Sequence, residues 1–190
     1  MQFENRRLLS NTTWLLVTEI AAKVSRIMVI FALAAHLSAI EYGTVMLALA
    51  CHEVLKLMLR SGAGTQIIQC SEANLKQYAK NGSILQWLVC VLLAGIQSAL
   101  AIPVGDFYNN PEVTQLLASM AGVYLLYPLV SVKVFLIQRA SNMRFYSLRN
   151  AGCIFAENLT IAVFVIFDFG IMSVVYGKWV FAILWVCLFF

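Results

Sequence analysis

The chain has 190 residues, of which 62% are hydrophobic and 12% charged, and its formal net charge is +4. Soluble domains are about 45–50% apolar and roughly 25% charged. The composition therefore excludes a soluble globular domain, a disordered tail and a nucleic-acid-binding arm, and leaves an integral membrane protein.

A spanning helix needs about 20 mostly apolar residues. Six such stretches are predicted, at 10–36, 42–60, 81–105, 112–138, 145–167 and 171–190. They make the chain an all-α membrane protein, one six-helix transmembrane bundle over 1–190. The third stretch holds no charge, and the fourth is charge-free from Val113 to Val132. Each run far exceeds the roughly 10 alternating residues of a barrel strand. Arg6 and Arg7 precede the first stretch as in a signal peptide, but Glu19, Lys23 and Arg26 interrupt it and no clear cleavage site follows. It is read as a retained helix.

The connections alternate in character. Residues 37–41, 106–111 and 168–170 hold no Lys or Arg. The N-terminus (Arg6, Arg7), the second connection (Arg60, Lys76, Lys80) and the fourth (Arg139, Arg144, Arg149) hold 8 against 0. The positive-inside rule then places the N-terminus and these connections in the cytoplasm, in a multi-pass protein of the cytoplasmic (inner) membrane. Residues 180–190 form an unbroken apolar run with no basic flank, whereas the other cytoplasmic helix ends carry one. The expectation is a chain that stops within its sixth helix, as the N-terminal part of a longer transporter. The alternative is a natural short protein.

Eight charges fall inside predicted spans: Lys23, Arg26, Lys56, Lys133, Lys178, Glu19, Glu53 and Glu157. A charge near the bilayer centre costs about 2.5–3.5 kcal/mol on insertion scales, so these should face one another or a wet cavity. Glu19, Lys23 and Arg26 share one narrow arc of the first helix at about 100° per residue. His52, Lys56 and Arg60 repeat every four residues on the second, with Glu53 beside them. Two neighbouring stripes, mainly basic, suit an anionic ligand. The competing reading is neutralisation within each stripe, Glu19 with Lys23 and Glu53 with Lys56. Lys133 sits close enough to a helix end to snorkel, while Lys178 and Glu157 each interrupt a long apolar run.

Five cysteines (Cys51, Cys70, Cys90, Cys153, Cys187) have no metal-ligand spacing, and their odd number argues against a disulfide framework. There is no phosphate-cradling glycine loop, no HExxH and no Ser/His/Asp set at a helix end. No enzyme activity, catalytic residue, metal or cofactor is expected.

Five local motifs, in order, resemble the N-terminal half of polysaccharide flippases, the lipopolysaccharide/colanic-acid exporter type of the multidrug/oligosaccharidyl-lipid/polysaccharide superfamily. They are Leu37-Ser38-Ala39-Ile40-Glu41-Tyr42-Gly43, Ser61-Gly62-Ala63-Gly64-Thr65-Gln66-Ile67-Ile68-Gln69, Phe107-Tyr108-Asn109-Asn110-Pro111-Glu112, Gln138-Arg139-Ala140-Ser141-Asn142-Met143-Arg144-Phe145, and Phe169-Gly170-Ile171-Met172-Ser173-Val174-Val175-Tyr176-Gly177. Ala39 and Met172 depart from the usual Pro and Trp, and such flippases have two lobes where this chain has one.

The resemblance implies export of an oligosaccharide linked to polyprenyl pyrophosphate, driven by a H⁺ or Na⁺ gradient, with membrane lipid and a C-terminal lobe or second subunit as partners and no nucleic acid. It implies Lys23, Arg26 and Lys56 as the cationic substrate site, with Glu19 and Glu157 as candidates for ion coupling. A multidrug exporter of the same superfamily is the nearest rival, and should favour acidic residues. A small oligomerising assembly subunit is a third reading.

Overall fold

The computed structural model describes the backbone of residues 2–60, 63–140 and 142–190 and the side chains within 13–59, 64–140 and 142–190. Of the residues singled out above, Ser61, Gly62 and Ser141 and the side chains of Arg6, Arg7 and Arg60 lie outside these described residues. The described residues form eight α-helices and no strand: α1 (Gln2–His36), α2 (Ala39–Leu57), α3 (Ala63–Gln69), α4 (Leu75–Phe107), α5 (Pro111–Ala121), α6 (Pro128–Arg139), α7 (Met143–Ile166) and α8 (Met172–Phe189).

The helix starts follow from local chemistry. Ser38 and Glu41 form a reciprocal capping box at α2: Glu41 N–H donates to Ser38 Oγ (3.3 Å), and Ser38 N–H donates to Glu41 Oε2 (2.8 Å). These contacts satisfy amides that a helix start leaves unpaired; the Ser38 hydroxyl, donating to Glu41 Oε2 (2.7 Å), and then the Ser38 amide hold the Glu41 carboxyl below its ordinary range. Asn110 caps α5 by accepting from Glu112 N–H (2.9 Å), with Pro111 in the first turn. Its amide also donates to Thr44 Oγ1 (2.7 Å), tying the start of α5 to that of α2.

Three helical segments are long and apolar enough to cross a membrane: Glu72–Phe107, Met143–Ile166 and Met172–Phe189. The pair Pro111–Leu125 and Pro128–Arg139, bent by 58°, makes a fourth if it is one broken span. The expected count of six is not reached on length and composition, and charge is the reason. Every 18-residue window of α1 within 13–36 contains Glu19, Lys23 and Arg26, and every such window of α2 contains Glu41, Glu53 and Lys56. The fourth stretch is bent because Pro128 lacks the N–H a continuous helix would use and its ring crowds the preceding turn. The chain tightens into a 3₁₀ turn at Gly122–Leu125 and restarts at Pro128.

The connection expected between 61 and 80 is itself largely helical, and Arg139 holds it. Its guanidinium donates to the carbonyls of Ile67 (2.9 Å), Ile68 (3.2 Å) and Cys70 (2.7 Å) at the end of α3, and meets Glu72 at 3.0 Å. Arg144 lies over the Trp14 ring, and Arg149 donates to the Leu188 carbonyl. The basic connections and the end of α8 are thereby gathered at one end of the bundle. At the other end Leu37, Tyr42, Ile171 and Met172, in or beside the connections 37–41 and 168–170, pack on one core of Val29, Leu33, Val45, Ala48, Leu116, Met120, Val165 and Val174.

Candidate functional site

The basic-end half of the bundle is hollow. A cavity of about 650 Å³ is lined by Thr18, Glu19 and Arg26 of α1, Glu53 and Lys56 of α2, Gln86 of α4, Tyr127 at the bend, Ser131 and Gln138 of α6, Asn150 and Glu157 of α7, and Phe181 and Trp185 of α8. It exists because α1 packs chiefly along α7 and hardly touches α2. A buried bond from Asn158 Nδ2 to Ser25 Oγ (2.7 Å) fixes the α1–α7 contact, leaving Arg26, the next residue, on the cavity wall.

Of the substrate-site residues expected from sequence, the cavity unites Arg26 and Lys56 but not Lys23, which is exposed on the flank of α1. Both acidic candidates, Glu19 and Glu157, line it. The expected Glu19–Lys23 pair does not form: among the described residues no ion pair involves Glu19, Lys23 or Arg26. The Glu53–Lys56 pair is loose at 3.9 Å. The tight contacts are made instead by Lys178, whose Nζ lies 2.6 Å from Glu53 Oε1 and 2.8 Å from Glu157 Oε1. The Lys178 side chain is 4% exposed. Its partners lie 125 and 21 residues away in sequence, so helical spacing within one stretch could not reveal them; the interruption of an apolar run was the one available signal.

Lys56 is also held by aromatic faces, its Nζ 4.7 Å from the Phe181 ring centre and 5.8 Å from that of Tyr127. Such contacts are worth about 0.5–2 kcal/mol, rising with desolvation. The Tyr127 hydroxyl is buried and has no hydrogen-bond partner among the described residues.

His52 does not join the Lys56 stripe. The border between the core and cavity sides of α2 passes between them, although they are about 40° apart on a helix. The fully buried His52 ring stacks on Tyr124 with centroids 5.0 Å apart, and its Nδ1 lies 3.1 Å from Gln97 Oε1. Gln97 Nε2 in turn donates to the Leu117 carbonyl (2.8 Å). This polar knot braces α2, α4 and α5. Lys133, expected to snorkel, lies 4.1 Å from the Phe190 ring centre and donates to the Phe190 carbonyl.

The reach of Lys178 depends on Gly177. A Cβ there would collide with the Ile161 side chain and sit 3.1 Å from the Glu157 carbonyl oxygen. Glycine thus lets α8 lie against α7 at the level of the ion pair. Gly177→Ala is expected to destabilise the protein by about 1–3 kcal/mol through overpacking. Gly152→Ala, on α7 with nothing within 4 Å of its Cβ, should be neutral or stabilising by up to about 1 kcal/mol. Thermal unfolding in detergent distinguishes them, and equal shifts would refute the close-approach role of Gly177.

A family model described as a polysaccharide biosynthesis protein matches residues 32–190. The match takes in Lys56, Glu157 and Lys178 and begins after Glu19, Lys23 and Arg26. No curated protein and no solved structure matches the chain.

Proposed function

Because the chain belongs to the polysaccharide biosynthesis protein family, we propose that it is a flippase, moving a lipid-linked oligosaccharide unit from the inner to the outer leaflet of the cytoplasmic membrane for surface polysaccharide assembly. The observation that carries this reading is the cavity: a polar chamber in a chain of apolar helices, its lining holding Lys56, loosely paired, and Arg26, which has no ion-pair partner among the described residues. A guanidinium and an ammonium in a low-dielectric chamber attract pyrophosphate strongly. Gln86, Ser131, Gln138 and Asn150 offer hydrogen bonds to sugar hydroxyls, while the polyprenyl tail stays in lipid. The chamber lies toward the basic end, and the apolar core closes the other. With basic connections in the cytoplasm, this is an inward-facing state of six spans, α1 and α2 crossing with Glu19, Arg26, Glu53 and Lys56 turned to the chamber. A partner lobe or second subunit would complete the rocking unit and open the site outward. The step is transport without catalysis.

A cysteine placed at Ala22 on the cavity wall, in a background without native cysteines, is expected to be protected from thiol labelling by undecaprenyl pyrophosphate and not by undecaprenol. Equal labelling with either lipid would sink the reading.

One observation favours a second reading, export of lipophilic cations. Three carboxylates, Glu19, Glu53 and Glu157, line the cavity against two basic residues. Protection by tetraphenylphosphonium in the same assay, without protection by the pyrophosphate lipid, would establish it.

A further inference from the structure

The outer face of α4 carries a second feature, apart from the chamber. The segment Glu72–Phe107 is long and apolar enough to cross a membrane. Lys76, Lys80, Ile84, Trp87 and Val91 fall within an arc of about 80° on this helix at about 100° per residue, and all five are exposed. The buried residues Gly82, Gln86, Cys90, Leu93 and Gln97 occupy a separate arc. Gln86 therefore meets the chamber, while Trp87, the next residue, lies outside it. Trp87, Leu88, Val91 and Leu92 line an open apolar groove of about 450 Å³. The lysines stand at the basic end of the stripe and have no ion-pair partner among the described residues. The helix holds no acidic residue from 75 to 105, and Glu72, just before it, is engaged by Arg139 at 3.0 Å.

Groove and charge complement each other. Inside a bilayer an apolar groove alone selects nothing, because lipid tails are as apolar as the side chains they would meet. A cation at headgroup level does select: each lysine near an anionic lipid surface is worth about fivefold in binding. Lengths agree as well. From Lys80 to Val91 the helix rises about 16 Å, close to the depth of one leaflet in a hydrocarbon core about 30 Å thick. A lipid whose phosphate meets Lys76 and Lys80 has an acyl chain of the right reach to pass Ile84 and fill the groove. We propose that this face of α4 binds an anionic diacyl phospholipid of the leaflet at the basic end, its phosphate held by Lys76 and Lys80 and one acyl chain lying in the groove at Trp87 and Val91. The headgroup contact is a charge-assisted one. The site is separate from the chamber and does not depend on what the chamber carries.

Trp87 supplies the readout, because bromine on an acyl chain quenches indole fluorescence only at close range. The protein is placed in nanodiscs of equimolar phosphatidylglycerol and phosphatidylcholine, with the bromines carried by the first lipid in one sample and by the second in the other. Subtracting the Trp87→Phe protein in the same discs isolates Trp87 from Trp14, Trp179 and Trp185. Wild-type Trp87 is expected to be quenched more by brominated phosphatidylglycerol, with a relative affinity approaching about 25-fold at low salt for two lysines and falling as salt rises. The double variant Lys76→Gln, Lys80→Gln is expected to abolish the excess, and Lys76→Arg, Lys80→Arg to keep it. Both lysines are exposed, so these changes leave the packing of α4 intact. Equal quenching by the two brominated lipids in wild type, or an excess that survives the double Gln variant, would overturn the proposal. So would recovery of Trp87 fluorescence on adding undecaprenyl pyrophosphate at a mole fraction too low to dilute the brominated lipid, which would assign the groove to the transported lipid.

Discussion

Replacing Arg26 and Lys56 together by Gln is expected to abolish export of surface polysaccharide while the amount of inserted protein stays near wild type. The two effects separate because removing a charge from a membrane segment relieves a desolvation cost, whereas removing it from a pyrophosphate site loses a charge-assisted bond. Each such bond is worth about 1.5–3 kcal/mol, roughly ten- to a hundredfold in binding. Arg26 makes the test clean, since among the described residues it has no ion-pair partner that its loss would strand. Lys56 leaves Glu53 with its closer partner Lys178. Arg26→Lys should keep part of the activity, because the charge remains and the planar fork is lost. Lys133→Gln should be mild, since Lys133 lies outside the cavity lining. The measurement is surface polysaccharide per molecule of inserted protein in a strain lacking its own flippase. Wild-type export by the double variant would show that these charges serve packing alone.

The sequence carried the helices and their charges further than it carried the pairing of those charges. Long apolar runs marked the helical stretches, and their ends agree with the structure to within a few residues, except that α1 begins eight and α4 six residues earlier than the predicted first and third stretches. The bend at Pro128 was written in the sequence as a proline inside a charge-free run, yet nothing local distinguished a broken helix from a kinked one. Ser38-Ala39-Ile40-Glu41 was legible as part of a family motif, and its physical content is a capping box. Periodicity put Arg26 on a polar face and also put Lys23 there. The difference of about 60° between Lys23 and Arg26 on a helix is smaller than the width of the face, and which neighbour meets a cavity depends on how α1 leans on α7. The partners of Glu53 were beyond local reasoning: an i, i+3 lysine was visible, and the lysine that bonds it more closely lies on α8.

That lysine should also govern stability. Lys178→Met is expected to destabilise the protein by about 3 kcal/mol, the lower end of the cost of breaking a buried ion pair. Glu157, its side chain 8% exposed, would lose its cation, whereas Glu53, at 40% exposed and still within 3.9 Å of Lys56, would be partly rescued by solvent and by that residue. Methionine has a similar length and no polar atom to satisfy, so lost volume contributes little. The decisive comparison is the double variant Lys178→Met, Glu157→Gln. It removes one cation and one carboxylate, leaves Glu53 to Lys56, and should recover most of the loss even though it departs further from the native sequence. If the single change simply damaged the packing of α8 on α7, the second change would add to the harm. Thermal unfolding of the three proteins in the same detergent reads the difference, and a double variant less stable than the single one would show that Lys178 contributes packing and not charge.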